Sequence, residues 1–128
     1  MQQAKQSRRK FIKSVPVSGA AFSIIPRRVL GKGFIAPSDT LYIGGIGVGG
    51  KGFSDLTEPA KSDKVKIISL CDVDDRRAKK AIETFPEAAY YHDYREMLDK
   101  EKGSDAVTIA TPDHMHAIQT LDAMQRGK

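Results

Sequence analysis

The 128-residue sequence has no tryptophan and a single cysteine, and no acidic residue precedes Asp39. The lone Cys71 excludes an internal disulfide, and without a cysteine pair a thiolate zinc site is excluded with it. Cys71 reads simply as a small buried hydrophobe. The missing acids explain the charge. Lys5, Arg8, Arg9, Lys10, Lys13, Arg27, Arg28 and Lys32 stand unopposed in residues 1–38, whereas residues 39–128 hold 13 basic against 16 acidic residues, a net of −3 behind the overall +5. A body of that sign offers no footprint to a phosphate backbone, so nucleic acid is not an expected partner. Long apolar runs are absent too. The best stretch before the body, Val15 to Ile25, is broken by Pro16, Ser18 and Gly19, and it falls well short of the ~20 residues a bilayer helix needs.

The leader has a pattern of its own. Twin arginines, Arg8 and Arg9, precede Phe11, Ile12 and Lys13, and the modest apolar stretch follows. A charged segment and then a short apolar one is the order of an export signal, and this one resembles a twin-arginine (Tat) signal, an address read by the export machinery. The alternative is a basic tail with a chance Arg-Arg pair. No Ala-x-Ala cleavage site follows, and residues 26–39 read as an irregular linker. The expected division is residues 1–38 as leader and linker and residues 39–128 as folded body, exported from the cytoplasm.

The body alternates strand and helix patterns. Strands are expected over 40–46, 64–71, 89–92 and 105–110. Ala78, Ala81, Ile82 and Phe85 give one helix its apolar face. Asp93 with Glu96 forms a capping-box pattern for the next. A last helix from about Asp113 is expected to bury Met115, Ile118, Leu121 and Met124. Such alternation implies βαβ units on a parallel sheet: an α/β, doubly wound, Rossmann-type fold.

Six of the ten residues 43–52 are glycine, and they lie between the first strand and a helix. In that context G-x-G-x-x-G becomes a phosphate cradle rather than a linker. Two registers exist, Gly45-Gly47-Gly50 and Gly47-Gly49-Gly52. Ile46 still reads as strand, so the second is expected: Gly47 for the tight turn, Gly49 for close approach of a pyrophosphate, Gly52 for helix packing. Backbone N–H groups around Val48, Gly49, Gly50 and Lys51 would face the phosphates. Asp72, twenty residues past Gly52, is placed to accept hydrogen bonds from the adenosine ribose. Its charge would repel a 2′-phosphate, so NAD is expected over NADP. Arg76 and Arg77 read as solvated residues of the next helix.

A second constellation, "IATPDHMHA", spans residues 109–117. Thr111 suits a helix N-cap, Pro112 the first helical position and Asp113 the positive dipole end. His114 and His116, spaced i, i+2, diverge around a helix and make a poor metal pair. Structural roles explain them by residue chemistry alone, although they sit at a strand's carboxyl end, where open parallel sheets bind ligands. His92 reads as a surface residue.

"IGVGGKG", "CDVD" and "DAVTIATPDHMHA", in that order and spacing, resemble the NAD-binding half of the glucose–fructose oxidoreductase/inositol dehydrogenase (Gfo/Idh/MocA) family over residues 38–128. The resemblance implies that Gly47, Gly49 and Gly52 hold the pyrophosphate, Asp72 the adenosine ribose, and Thr111 and Pro112 the cofactor at the strand ends. It also places His114 and His116 beside the nicotinamide or the substrate. It implies a further strand ending in Glu-Lys-Pro, whose lysine is catalytic, and a second domain with the substrate pocket and the surfaces for a homo-oligomer. By that measure the sequence is a truncated Rossmann domain that binds cofactor and carries no catalytic residue or metal. The complete protein is then expected to be an NAD-dependent oxidoreductase acting on sugars, with tightly held, internally recycled NAD. An NAD-dependent glycosidase and a non-catalytic NAD- or sugar-binding protein are the alternatives.

Overall fold

Four strands form one parallel sheet in the computed structural model, which describes residues 37–128: β1 (Leu41–Ile46), β2 (Val65–Cys71), β3 (Ala89–Tyr91) and β4 (Ala106–Ile109). The expected leader falls outside the described residues, save its last two. Helices α1 (Lys51–Thr57), α2 (Asp75–Thr84), α3 (Tyr94–Lys100) and α4 (Asp113–Gln125) fill the crossovers, with a short 3₁₀ turn at Pro59–Lys61 between α1 and β2. None of the described helices is long and apolar enough to cross a membrane.

The spatial strand order is β3-β2-β1-β4. The chain steps outward from β1 to β3, then returns to lay β4 on the other side of β1. The outward helices therefore cover one face and the returning ones the other, as right-handed crossovers require. Two cores result. Ile43, Val48, Leu56, Ile67, Leu70, Ala78 and Ala81 pack under α1 and α2, with Ile82 and Phe85 against them. Ile46, Cys71, Tyr94, Met97, Leu98 and Ala123 pack under α3 and α4. β1, pressed from both faces, has little room for side chains in its middle. A Cβ on Gly44 would lie 2.6 Å from Ser69 Oγ, and one on Gly45 would lie 2.6 Å from Leu56 Cδ1.

Two expectations need correction. Asp93 does cap α3, accepting from Arg95 N at 2.8 Å, but Glu96 bonds Lys100 Nζ at 2.6 Å instead of reaching back. The face of α4 is also rotated from the one expected. Ile118, Leu121 and Met124 are 51, 57 and 66 % exposed, and the buried residues are Gln119 and Ala123. Residues 115, 119 and 123 form the inward stripe because Ala123 is small enough to sit tightly in the second core. Hydrophobicity alone selects the opposite stripe.

Candidate functional site

The four strands end on one cavity of about 710 Å³, lined by Gly47 and Gly49 after β1, Asp72 after β2, the His92–Arg95 segment after β3, and Thr111 and Pro112 after β4. It straddles the point where strand order reverses, the place where open α/β sheets receive ligands.

The turn out of β1 is made by Gly47, whose φ is +78° and whose N–H donates to Cys71 O at 2.8 Å. Gly52, in the first turn of α1, comes closer to Gly47 than any side chain allows: a Cβ there would lie 1.8 Å from Gly47 O. Gly45 lies inside β1, so turn and helix contact belong to the Gly47-Gly49-Gly52 register. Val48 is buried in the first core, Gly50 caps α1 with φ +57°, and the exposed Lys51 pairs with Asp55.

Asp72 is fixed before any ligand arrives. Its Oδ2 accepts from Gly49 N at 3.0 Å and its Oδ1 from Asp74 N at 3.0 Å. Each oxygen keeps a lone pair for a further donor. Behind it, Tyr90 Oη lies 2.9 Å from Asp72 O and 2.8 Å from Asp75 Oδ1, and His92 Nε2 meets the same Asp75 oxygen at 2.7 Å. Hydrogen bonds from Tyr90 and His92 hold the Asp75 carboxyl below its usual range, while burial and the Asp75 contact push the Tyr90 phenol up. Cys71 lies in the wall as well. Burial, then the charges of Asp72 and Asp93, push its thiol up to about 12.

The two arginines part ways. Arg76 is solvated and pairs with Asp74 at 3.1 Å. Arg77 is exposed as expected but also lies in the cavity wall, its Cβ 2.8 Å from where a Gly49 Cβ would sit and its Nη2 3.4 Å from that of Gly50. The cavity thus gains a cation beside the glycines.

Thr111 is not the N-cap of α4. Pro112 holds that position with no side-chain cap, because the Thr111 hydroxyl donates to Gln119 Oε1 at 2.5 Å. His116 Nε2 lies 2.6 Å from Thr111 O. A carbonyl only accepts, so the ring proton sits on Nε2. The structure brings Gly47, Gly49, Asp72, Thr111 and Pro112 to one cavity; Val48, Gly50, Lys51, Gly52, His114 and His116 do not line it. Sequence reasoning did not place Arg77 or Gln119 in the wall. Arg77 had a signal, five residues past Asp72 in a helix that starts beside the glycines. Gln119, eight past Thr111, had none at short range. Among the described residues no cluster of His, Cys, Asp or Glu can hold a metal.

Comparison with known proteins agrees with this geometry. The Gfo/Idh/MocA family, described as "Oxidoreductase family, NAD-binding Rossmann fold", matches residues 41–128. An alpha-N-acetylgalactosaminidase from Shewanella oneidensis is 31% identical over 90% of this chain and 28% of its own length. A glycosyl hydrolase family 109 protein from Shewanella baltica strain OS185 is 30% identical over the same shares. Among solved structures, myo-inositol 2-dehydrogenase from Lactobacillus plantarum superposes with a TM-score of 0.62 at 28% identity, over 69% of this chain and 26% of its own. Scyllo-inositol dehydrogenase from Lactobacillus casei does so at 0.63 and 26%, over 70% and 27%. The chain spans under a third of the length of the curated relatives it matches.

Proposed function

Because this chain belongs to the Gfo/Idh/MocA oxidoreductase family, an NAD-binding Rossmann fold, we propose that the complete protein is an NAD-dependent oxidoreductase of sugars or sugar derivatives that keeps and recycles its dinucleotide. Residues 39–128 are its NAD-binding part, and a substrate domain completes it, supplying the catalytic residues and the surfaces for any homo-oligomer. The observation that carries the reading is the meeting of the Gly47–Gly52 turn, Asp72 and the Thr111-Pro112 segment at one cavity.

The residues fit the cofactor. Gly47 and Gly49 leave the backbone bare where a pyrophosphate would pass, and Val48, Gly50, Lys51 and Gly52 complete the cradle. Arg77 adds a positive charge beside it. Asp72, with a lone pair free on each oxygen, takes the ribose hydroxyls. Its charge disfavours a 2′-phosphate, which favours NAD over NADP. Thr111 and Pro112 meet the cofactor at the strand ends, with the His116 ring on the Thr111 carbonyl. His114 and His116, outside the cavity wall, keep the substrate-proximal role that the family resemblance gives them. When bound, the nicotinamide would supply the site with a hydride acceptor and donor.

A second reading has specific support. The similarity to an alpha-N-acetylgalactosaminidase favours an NAD-dependent glycosidase, in which a sugar is oxidised, eliminates its aglycone, takes up water at the double bond so formed and is reduced again. Both readings return the hydride within one cycle, and that agrees with the leader. Twin-arginine export would carry the protein folded to a periplasm without a nicotinamide pool, so a net dehydrogenase would stop after one turnover. The test is to purify the full-length protein from periplasm, denature it and quantify released dinucleotide, then assay sugar conversion and glycoside cleavage with none added. We expect about one NAD per chain and turnover without supplement. Absence of bound NAD, or turnover that requires added NAD⁺, defeats the recycling proposal.

A further inference from the structure

Among the polar side chains of the cavity wall, Gln119 is a buried one that neither the glycine cradle nor Asp72 accounts for. Gln119 is 3 % exposed, yet it lies in the cavity wall. Its oxygen is occupied by the Thr111 hydroxyl. Its amide nitrogen has no protein acceptor among the described residues, and the residue that carries it lines the cavity. A buried amide with its oxygen committed and two N–H donors unused recognises an acceptor.

Which acceptor follows from the two faces of the sheet. Gly49 and Arg77 belong to the side covered by α1 and α2, whereas Tyr94, Met115 and Gln119 belong to the side covered by α3 and α4. Asp72, ending β2, stands between them. A dinucleotide with its phosphates on the glycines and its ribose on Asp72 can turn its base across the sheet toward Met115 and Gln119 in the same cavity wall. The base edge farthest from the ribose carries the N1 and N6 positions. In adenine N1 is an acceptor and N6 a donor; in hypoxanthine N1 bears a proton and becomes a donor.

We propose that Gln119, its amide oriented by Thr111, reads the N1 edge of adenine and is the base-specificity residue of the site. The inference rests on the NAD-binding reading above and adds to it the group that distinguishes one purine from another. Thr111 acts here as a positioning residue. By donating to Oε1 it prevents the amide from flipping to present its oxygen, which would suit hypoxanthine.

The experiment titrates the full-length protein, freed of nucleotide, with NAD and with nicotinamide hypoxanthine dinucleotide, following intrinsic tyrosine fluorescence or heat. The wild type should bind NAD about tenfold tighter or more, since hypoxanthine sets donor against buried donor. In Gln119→Leu the ratio should fall to about one, mainly through weaker NAD binding. Gln119→Met serves if the leucine variant does not fold by circular dichroism. A purely structural role for Gln119 would weaken both dinucleotides together and leave the ratio unchanged. An unchanged ratio in a folded variant, or a wild-type ratio near one, overturns the proposal. Failure of the wild type to bind either dinucleotide overturns the NAD reading itself, and this inference with it.

Discussion

Gly52 shows how one residue can fix a motif. A methyl group there would stand 1.8 Å from Gly47 O, so α1 would have to leave β1. Gly52→Ala should cost about 3 kcal/mol in a urea melt, whereas Gly103→Ala, with nothing within 4 Å of the new carbon, should change stability by less than about 0.5 kcal/mol. Equal effects would mean that the close approach does not hold the turn. Cys71 allows a chemical test. With its thiol raised to about 12 from 9.0, the reactive thiolate at pH 8 falls about a thousandfold. Alkylation of the native protein should be slower by that factor than in urea, and native labelling at the unfolded rate would contradict the burial. Asp72→Asn keeps an acceptor oxygen for one amide but loses the charge. NAD should weaken and NADP should not, lowering the NAD/NADP affinity ratio about tenfold; an unchanged ratio in paired titrations would remove Asp72 from the ribose.

The order and type of the elements were legible in the sequence, with ends shifted by about one residue. Strand runs rich in Ile and Val, and the Ala78-Ala81-Ile82-Phe85 stripe, state their own periodicity. What was not legible depended on contacts between elements. The glycine register could be read because strand, turn and helix are neighbours in the chain. The true partner of Thr111 could not, since Gln119 lies two helical turns on and competes with the backbone for the hydroxyl. Nor could the rotation of α4, because its more hydrophobic stripe is the exposed one and only packing selects the other. That rotation has a consequence for handling the protein. Residues 38–128 expressed alone would present Ile118, Leu121 and Met124 to water beside β4, an edge strand among the described residues. Sedimentation should show concentration-dependent association, which Leu121→Lys reduces with a small change in melting temperature. Clean monomers at high concentration would show that this face needs no cover.

At the scale of the whole domain, strand order explains why the site exists at all. β1 is flanked by the strands that follow it by one and by three, and the reversal between them opens the crevice that α3 and α4 wall on one side. Every strand contributes its carboxyl end to that crevice, so a molecule lying across it touches pieces of chain that are neighbours only when the sheet is whole. Parallel sheets also form slowly, since each pairing closes a long loop. Occupancy should therefore appear in time rather than in shape. Amides at the strand ends, Gly47 bonded to Cys71 and Ala110 bonded to Ile46, should exchange with deuterium far more slowly once the crevice is filled, and together rather than one by one. Amides at the opposite end, such as Leu41 bonded to Lys64, then report whether protection stays local or spreads through the sheet. Equal slowing at both ends would mark the cofactor as the latch that keeps the domain from opening, and protection confined to the crevice would mark it as a guest in a frame that closes without it.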